Sequence, residues 1–270
     1  MLQIRSKLPQ LNSVIRSQFI IRQFSNSSLK LEEKKSEPKR FWKNVSVSED
    51  TDGFGVKLDG RSVKTPIGTK LVVPSGKPLL ANLIAGEWES QQKIIKPHSL
   101  PLTSLVARSI DDLSLEAQRI IVYGQLERYL HTDTLCYRQG YPEKLNELQD
   151  IHWTPVHNWV NEKFGVKLKT TESIIGSKQS KDVAEPLLKV MMGFDPLTLA
   201  AFERAVIASK SFILGLQVIL GEQKLEEICQ ASQVELKYQQ DFWGEVEDAH
   251  DVAEQDLLRQ LGAAKMVVIE

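Results

Sequence analysis

Cysteine is scarce in this chain of 270 residues: Cys136 and Cys229 stand 93 positions apart, in no CxxC pair and beside no histidine cluster at zinc spacing. That argues against a disulfide framework and against structural zinc, and fits free thiols in a reducing compartment. Long apolar runs are also missing. The longest, Phe212 to Leu220, is about half the ~20 residues a membrane helix needs, and Lys210 and Glu222 bracket it, so it predicts a buried helix and no membrane span. Neither GxxxxGK[ST] nor GxGxxG occurs, and the lone Gly53-Phe54-Gly55 lies between a polar turn and a strand pattern, which gives no phosphate cradle. Proline and glycine, at 11 and 15 residues, stay below the level of low-complexity sequence, and 41% hydrophobic residues are enough for a real core.

Acidic residues are absent from the first 31 positions, which carry five bases, Arg5, Lys7, Arg16, Arg22 and Lys30. Leu8, Leu11, Ile15 and Phe19 recur at helical spacing among them, the pattern of a basic amphipathic mitochondrial targeting segment. Ser13, Arg16 and Gln18 break every candidate for a secretory apolar core. Serines after Arg22-Gln23-Phe24 mark an expected cleavage near residue 24. The location implied is the mitochondrial matrix. Beyond residue 31 there remain 29 basic against 35 acidic residues, so nucleic acid is not an expected partner.

Residues 32–39, charged and ending near Pro38, read as a linker. Strand signals fill Phe41 to Val73: Phe54 to Leu58 and Arg61 to Thr65 alternate around Asp59-Gly60, a two-residue hairpin signal, and a turn at Pro66 to Gly68 leads into Lys70 to Val73. Pro78 opens a helix whose Leu79, Leu80, Leu83, Ile84 and Trp88 share a face that can cover these strands. Helices are predicted over about 102–112, 115–131, 143–164 with a break near Pro155, 182–192, 197–220, 222–242 and 249–264, with Asp195-Pro196 as a start signal. The fold class is α+β: a small antiparallel β-rich domain at 40–100 with one covering helix, followed by a larger α-helical domain at 101–270.

Two constellations invite a function. His131, Asp133 and Cys136 place a base, a carboxylate and a thiol within six residues, the material of a small hydrolase or transferase. Triads are assembled in space, though, and no nucleophile elbow is present, so Asp133 has a plainer reading as a helix-end cap or a partner of Arg138. His152 and His157 are about 140° apart on an ideal helix, poor geometry for a shared metal. The second constellation is acidic. Between Glu222 and Gln260 eleven acids face three bases, while Leu225, Ile228, Leu236 and Phe242 keep helical spacing and Tyr238 and Trp243 add amphipathic surface. Such a helix is either a solvated face or a docking face for a basic partner.

Several segments in order resemble one family: Arg40-Phe-Trp-Lys43, Leu58-Asp-Gly-Arg-Ser-Val-Lys-Thr-Pro66, Glu87-Trp-Glu-Ser-Gln91, Leu100-Pro-Leu-Thr103, Thr132-Asp-Thr-Leu-Cys-Tyr-Arg138 and Trp243-Gly-Glu-Val-Glu-Asp-Ala-His-Asp251. Together they are similar to the mitochondrial ATP synthase F(1) complex assembly factor 2 family, chaperones of the alpha subunit, across about residues 40–260. The resemblance implies a protein that transiently binds unassembled alpha subunits and keeps them from aggregating until beta subunits replace it. No catalytic residue, metal or cofactor is required for that. It also singles out Trp88, as a core or contact aromatic, and Glu235, an acid of the C-terminal helix. Glu235 and the nearby Asp241, Glu245 and Glu247 are the expected partner-binding residues.

Overall fold

The structure is a computed structural model and describes residues 38–173, 176 and 178–269. The targeting segment, its cleavage near residue 24 and the linker up to residue 37 lie outside the described residues. From Pro38 onward the chain forms one compact unit.

It opens with an antiparallel sheet. Strand β1 (Val45–Asp50) pairs along its whole length with β2 (Gly53–Leu58), from Val45 opposite Leu58 to Asp50 opposite Gly53. The Asp59-Gly60 turn into β3 (Arg61–Ser62) has positive φ at both residues, 46° and 81°, which matches the twist of a tight hairpin. Asp59 also accepts hydrogen bonds from the backbone N–H groups of Asn44 (2.8 Å) and Lys43 (3.0 Å), which hold its carboxyl below the usual range. The last strand, β4 (Val72–Val73), touches the end of β3 through Leu71 N–H to Val63 C=O (2.9 Å), then crosses to pair with Phe54 and Gly55 of β2. Gly53, at φ 137°, makes that approach possible, since a Cβ there would lie 2.1 Å from the Val73 carbonyl oxygen.

Helix α1 (Pro78–Glu89) lays Leu80, Ala81 and Ile84 on the sheet, as its periodicity requires. A 3₁₀ turn at Pro97–Ser99 leads to α2 (Pro101–Asp111), then α3 (Glu116–His131), a 3₁₀ turn at Thr134–Cys136, and α4 (Glu143–Phe164). The expected break at Pro155 does not occur: α4 is continuous over 22 residues. Pro155 and Ile151, whose carbonyl loses its N–H partner, both face solvent, where water can take that place.

The chain continues through α5 (Lys181–Met192), α6 (Pro196–Ser209), α7 (Phe212–Leu220), α8 (Leu225–Ser232), α9 (Val234–Trp243) and α10 (His250–Val268). Asp195 caps α6 with bonds from Leu197 N–H (2.9 Å) and Thr198 N–H (3.2 Å). Two predicted long helices are each two. The apolar run from 197 to 220 is cut at Lys210, which sits in the left-handed region (φ 56°), and Ser211 restarts the chain by capping Leu214 N–H at 3.0 Å. The stretch from 222 to 242 is divided at Gln233. Residues 212–219 of α7 are all buried, so this short helix is the centre around which α3, α4, α6, α8 and α10 pack. Gly215 lets α6 approach it, since a Cβ there would come within 2.5 Å of Val206 Cγ2.

One core runs from the sheet through the helices. We propose residue 100 as a seam between two subregions of one cooperative unit, with side chains of α1 crossing it to the start of α2. Among the described residues no helix is long and apolar enough to cross a membrane.

Candidate functional site

The three residues of the catalytic alternative fold into separate environments. His131 ends α3 with Nε2 3.7 Å from Glu127 Oε1 and Nδ1 buried without a partner among the described residues. Asp133 is fully buried and serves as a structural acceptor: Oδ1 takes Leu135 N–H at 3.1 Å, and Oδ2 takes Ser211 Oγ–H and Ile213 N–H, each at 3.0 Å. It caps two elements at once and is what holds the break between α6 and α7 in place. Burial raises its carboxyl to about 6, opposed by those hydrogen bonds. It does not pair with Arg138, which binds Asp150 at 2.6 Å and Thr154 at 2.9 Å.

Cys136 is buried, with Gln179 Nε2 3.3 Å from its sulfur, and desolvation pushes its thiol far above the usual value, the reverse of an activated nucleophile. His157, not His131, is the imidazole near this turn; its Nε2 lies 3.0 Å from the Leu135 carbonyl oxygen, and burial lowers its pKa. The Cys136 backbone N–H donates to the Asp133 carbonyl at 2.9 Å as part of the turn, but no side-chain hydrogen bond joins His131, Asp133 and Cys136 to one another among the described residues. The plainer reading of Asp133 as a cap is the one the geometry supports.

The acidic region presents the opposite character, since it is exposed. Within α9 only Val234 is buried, and residues 241–249 are open to solvent throughout. Phe242 and Trp243, 71% and 75% exposed, meet edge to face with ring centroids 5.5 Å apart, and Val246 is exposed beside them in sequence. Gly244 ends the helix at φ 89°, ψ 165°, a region open in practice to glycine alone, and turns the chain into an exposed loop before α10.

The expected acids lie on the same stretch of chain. Asp241 reaches Lys144 of α4 at 3.0 Å and Glu245 reaches Lys237 at 3.3 Å. Glu235 and Glu247 are exposed and make no ion pair among the described residues. Lys237, two residues on from Glu235, faces away from it on the helix and pairs with Glu245 instead. Sequence periodicity assigned Phe242 to an apolar helix face; the shortness of α9, which ends one residue later, puts it outside the core instead.

Trp88 occupies the seam. Its ring is half-buried and packs edge to face on Trp42 at 5.3 Å, and its Nε1–H donates to Thr103 Oγ1 at 3.1 Å. The preceding Glu87 caps α2 from a distance, accepting Leu102 N–H (2.7 Å), Thr103 N–H (2.9 Å) and Thr103 Oγ–H (2.7 Å). Glu87 and Trp88 thus pin α1 to the first turn of α2. Trp88→Ala is expected to cost ~3 kcal/mol of stability and Trp88→Phe, which keeps the ring contact and loses the hydrogen bond, ~1 kcal/mol, both readable as shifts in a urea midpoint.

Comparison with known proteins bears on the family and the fold. The sequence profile of the ATP12 chaperone protein family matches residues 39–161. The chain is 34% identical over 237 residues to protein atp12, mitochondrial, of Schizosaccharomyces pombe, a match covering 85% of this chain and 81% of that protein. It is 34% identical over 274 residues to protein ATP12, mitochondrial, of Saccharomyces cerevisiae, covering 86% of this chain and 84% of the relative. Its fold superposes on the crystal structure of Atp12 from Paracoccus denitrificans with a TM-score of 0.75 at 29% identity, over 85% of this chain and 97% of that one. On sequence and fold alike, the chain belongs to the mitochondrial ATP12 chaperone family.

Proposed function

We propose that the protein binds the unassembled alpha subunit of the mitochondrial ATP synthase F(1) sector, keeps it from aggregating, and hands it over for assembly with beta. The observation that carries this reading is the α9 surface, where two adjacent exposed aromatic rings share a segment with four exposed acids, of which Glu235 and Glu247 make no ion pair among the described residues. A subunit made for an obligate complex exposes large apolar interfaces before its neighbours arrive, and such surface aggregates. A holding protein needs apolar anchors to cover it and charge to steer and limit the contact. Phe242 and Trp243 supply the anchors; Glu235, Asp241, Glu245 and Glu247 supply the charge, directed at basic groups of the client. The protein works in the mitochondrial matrix and makes no covalent bond, consistent with the burial of Asp133 and Cys136 and with a thiol held far above its usual pKa.

The test is direct. Alpha subunit diluted from denaturant is followed by light scattering with the protein present, and beta subunit is then added as competitor. The expected result is suppressed scattering and release on addition of beta. Glu235→Lys is expected to weaken the capture about tenfold with an unchanged urea midpoint, because the side chain is exposed and unpaired. Normal capture by this variant would remove Glu235 from the contact; scattering unaffected by the wild-type protein would remove the function.

A further inference from the structure

A second surface, in the β-rich part, has the opposite sign. Pro38 to Arg40 runs antiparallel to Lys93 to Ile95, with Arg40 N–H donating to Lys93 C=O (3.0 Å) and Ile95 N–H to Pro38 C=O (2.9 Å). These bonds flank the Lys39 and Ile94 pair, which makes it a non-hydrogen-bonded pair, so the N–H and C=O of Ile94 point away from the partner strand to the outer edge. Neither makes a hydrogen bond among the described residues. An open edge of this kind is a template for an added strand.

Beside it lies a groove of about 790 Å³ lined by Arg40, Phe41, Trp42, Lys93, Ile94 and Lys96 with the intervening glutamines. Phe41 is 65% exposed and Ile94 40%, which provides apolar seats. The frame is fixed in advance: Arg40 spends its guanidinium on the carbonyls of Gln91 (2.6 Å), Glu89 (2.7 Å) and Trp42 (3.2 Å), and the Trp42 ring is wedged between Phe41 and Trp88. Trp42 Nε1, buried in the groove wall, has no hydrogen-bond partner among the described residues. Lys43, Lys93 and Lys96 are exposed, and none of the ion pairs among the described residues involves them. No carboxylate lines the groove; the nearby Glu89 is paired with Arg40 at 3.4 Å.

We infer that this groove is a docking site for an extended, acid-rich segment of a partner polypeptide, which adds to the Ile94 edge and lays its carboxylates on Lys93 and Lys96. Charge selects the occupant, and the unpaired edge selects its extended form. Preorganisation by Arg40 removes much of the ordering cost of such a contact. The inference stands apart from the α9 surface and from the identity of its client.

The probe is a fluorescein-labelled Glu-Val-Glu-Val-Glu-Val-Glu peptide bearing a photoreactive group, titrated into the full chain by anisotropy. Binding is expected to weaken at high salt and to fall about tenfold in Lys93→Glu/Lys96→Glu, two reversed exposed pairs. Methylating alternate peptide nitrogens is expected to weaken it further, and cross-links are expected within residues 39–43 and 92–96. Equal affinity for wild type and variant, or cross-links confined to the basic residues 1–31 or elsewhere outside the groove, would overturn the proposal. So would phosphatidylglycerol vesicles displacing the peptide with the same dependence on Lys93 and Lys96, which would assign the groove to a lipid surface. Self-association in sedimentation that the double variant abolishes would assign it to a second copy and overturn it equally.

Discussion

Replacing Asp133 with alanine is expected to lower stability by about 3 kcal/mol at neutral pH, a fall of roughly 6–12 °C in Tm for a unit of this size. The carboxylate satisfies two buried backbone N–H groups, of Leu135 and Ile213, and the buried hydroxyl of Ser211, and alanine leaves all three without an acceptor. Asparagine keeps one oxygen and is expected to fall between. The dependence on pH has a definite sign. Because burial raises the native carboxyl to about 6, the folded chain holds a proton between about pH 4 and 6 that the unfolded chain has released. Stability contributed by Asp133 therefore falls as pH rises through that window and levels off above it. The stability gap between wild type and Asp133→Ala, from urea titrations at a series of pH values, is expected to be widest near pH 4 and to narrow up to pH 6. A gap that widened instead would show that hydrogen bonding to the charged form outweighs its desolvation.

The other large effect concerns binding. On the proposed function, Phe242→Ala/Trp243→Ala is expected to weaken capture of alpha subunit by about 3 kcal/mol, on the order of 100-fold. Stability is expected to stay within about 0.5 kcal/mol, since both side chains are mostly solvated in the free protein. The measurement pairs light-scattering protection with a urea midpoint for the same sample. An unaltered protection curve would remove the α9 rings from the client contact. The contrast with Asp133→Ala is useful, because that variant loses protection only to the extent that it unfolds.

Much of the architecture was legible because local chemistry and tertiary packing agree in it. Asp59-Gly60 can hardly be anything but a tight turn, Asp195-Pro196 starts a helix in any context, and the periodicity of Leu80 and Ile84 points at whatever they cover. The misread boundary at Lys210 has a distant cause. Nothing in the run from Leu197 to Leu220 announces a break, since Lys210 and Ser211 are ordinary helix residues; the break is held by Asp133, some 78 positions away, which periodicity cannot see. Pro155 erred in the other direction, because the cost of an interior proline depends on which side of the helix its lost bond faces.

The acids of the C-terminal third were plain in the sequence, and the exposure of Phe242 beside them was not, because helical spacing is the same whether a short helix is embedded or projects. The groove beside Ile94 could not be read at all. Its walls come from segments about fifty residues apart whose pairing has no local signature. The motif Arg40-Phe-Trp-Lys43 drew notice as a string, while its role emerges only once Arg40 is seen tying down the end of α1.

The burial of α7 imposes an order of events on the newborn molecule. A polypeptide drawn into an organelle amino end first presents residues 38 to 210 before Phe212 to Leu220 arrives, and until then α3, α4 and α6 lack the central helix they share. Ser211 and Ile213 deliver the donors for Asp133 in the same late instalment. For that interval a protein whose family guards others against clumping is itself an open, sticky intermediate, and shortening it from the carboxyl end to before residue 212 should yield aggregates rather than a smaller working piece.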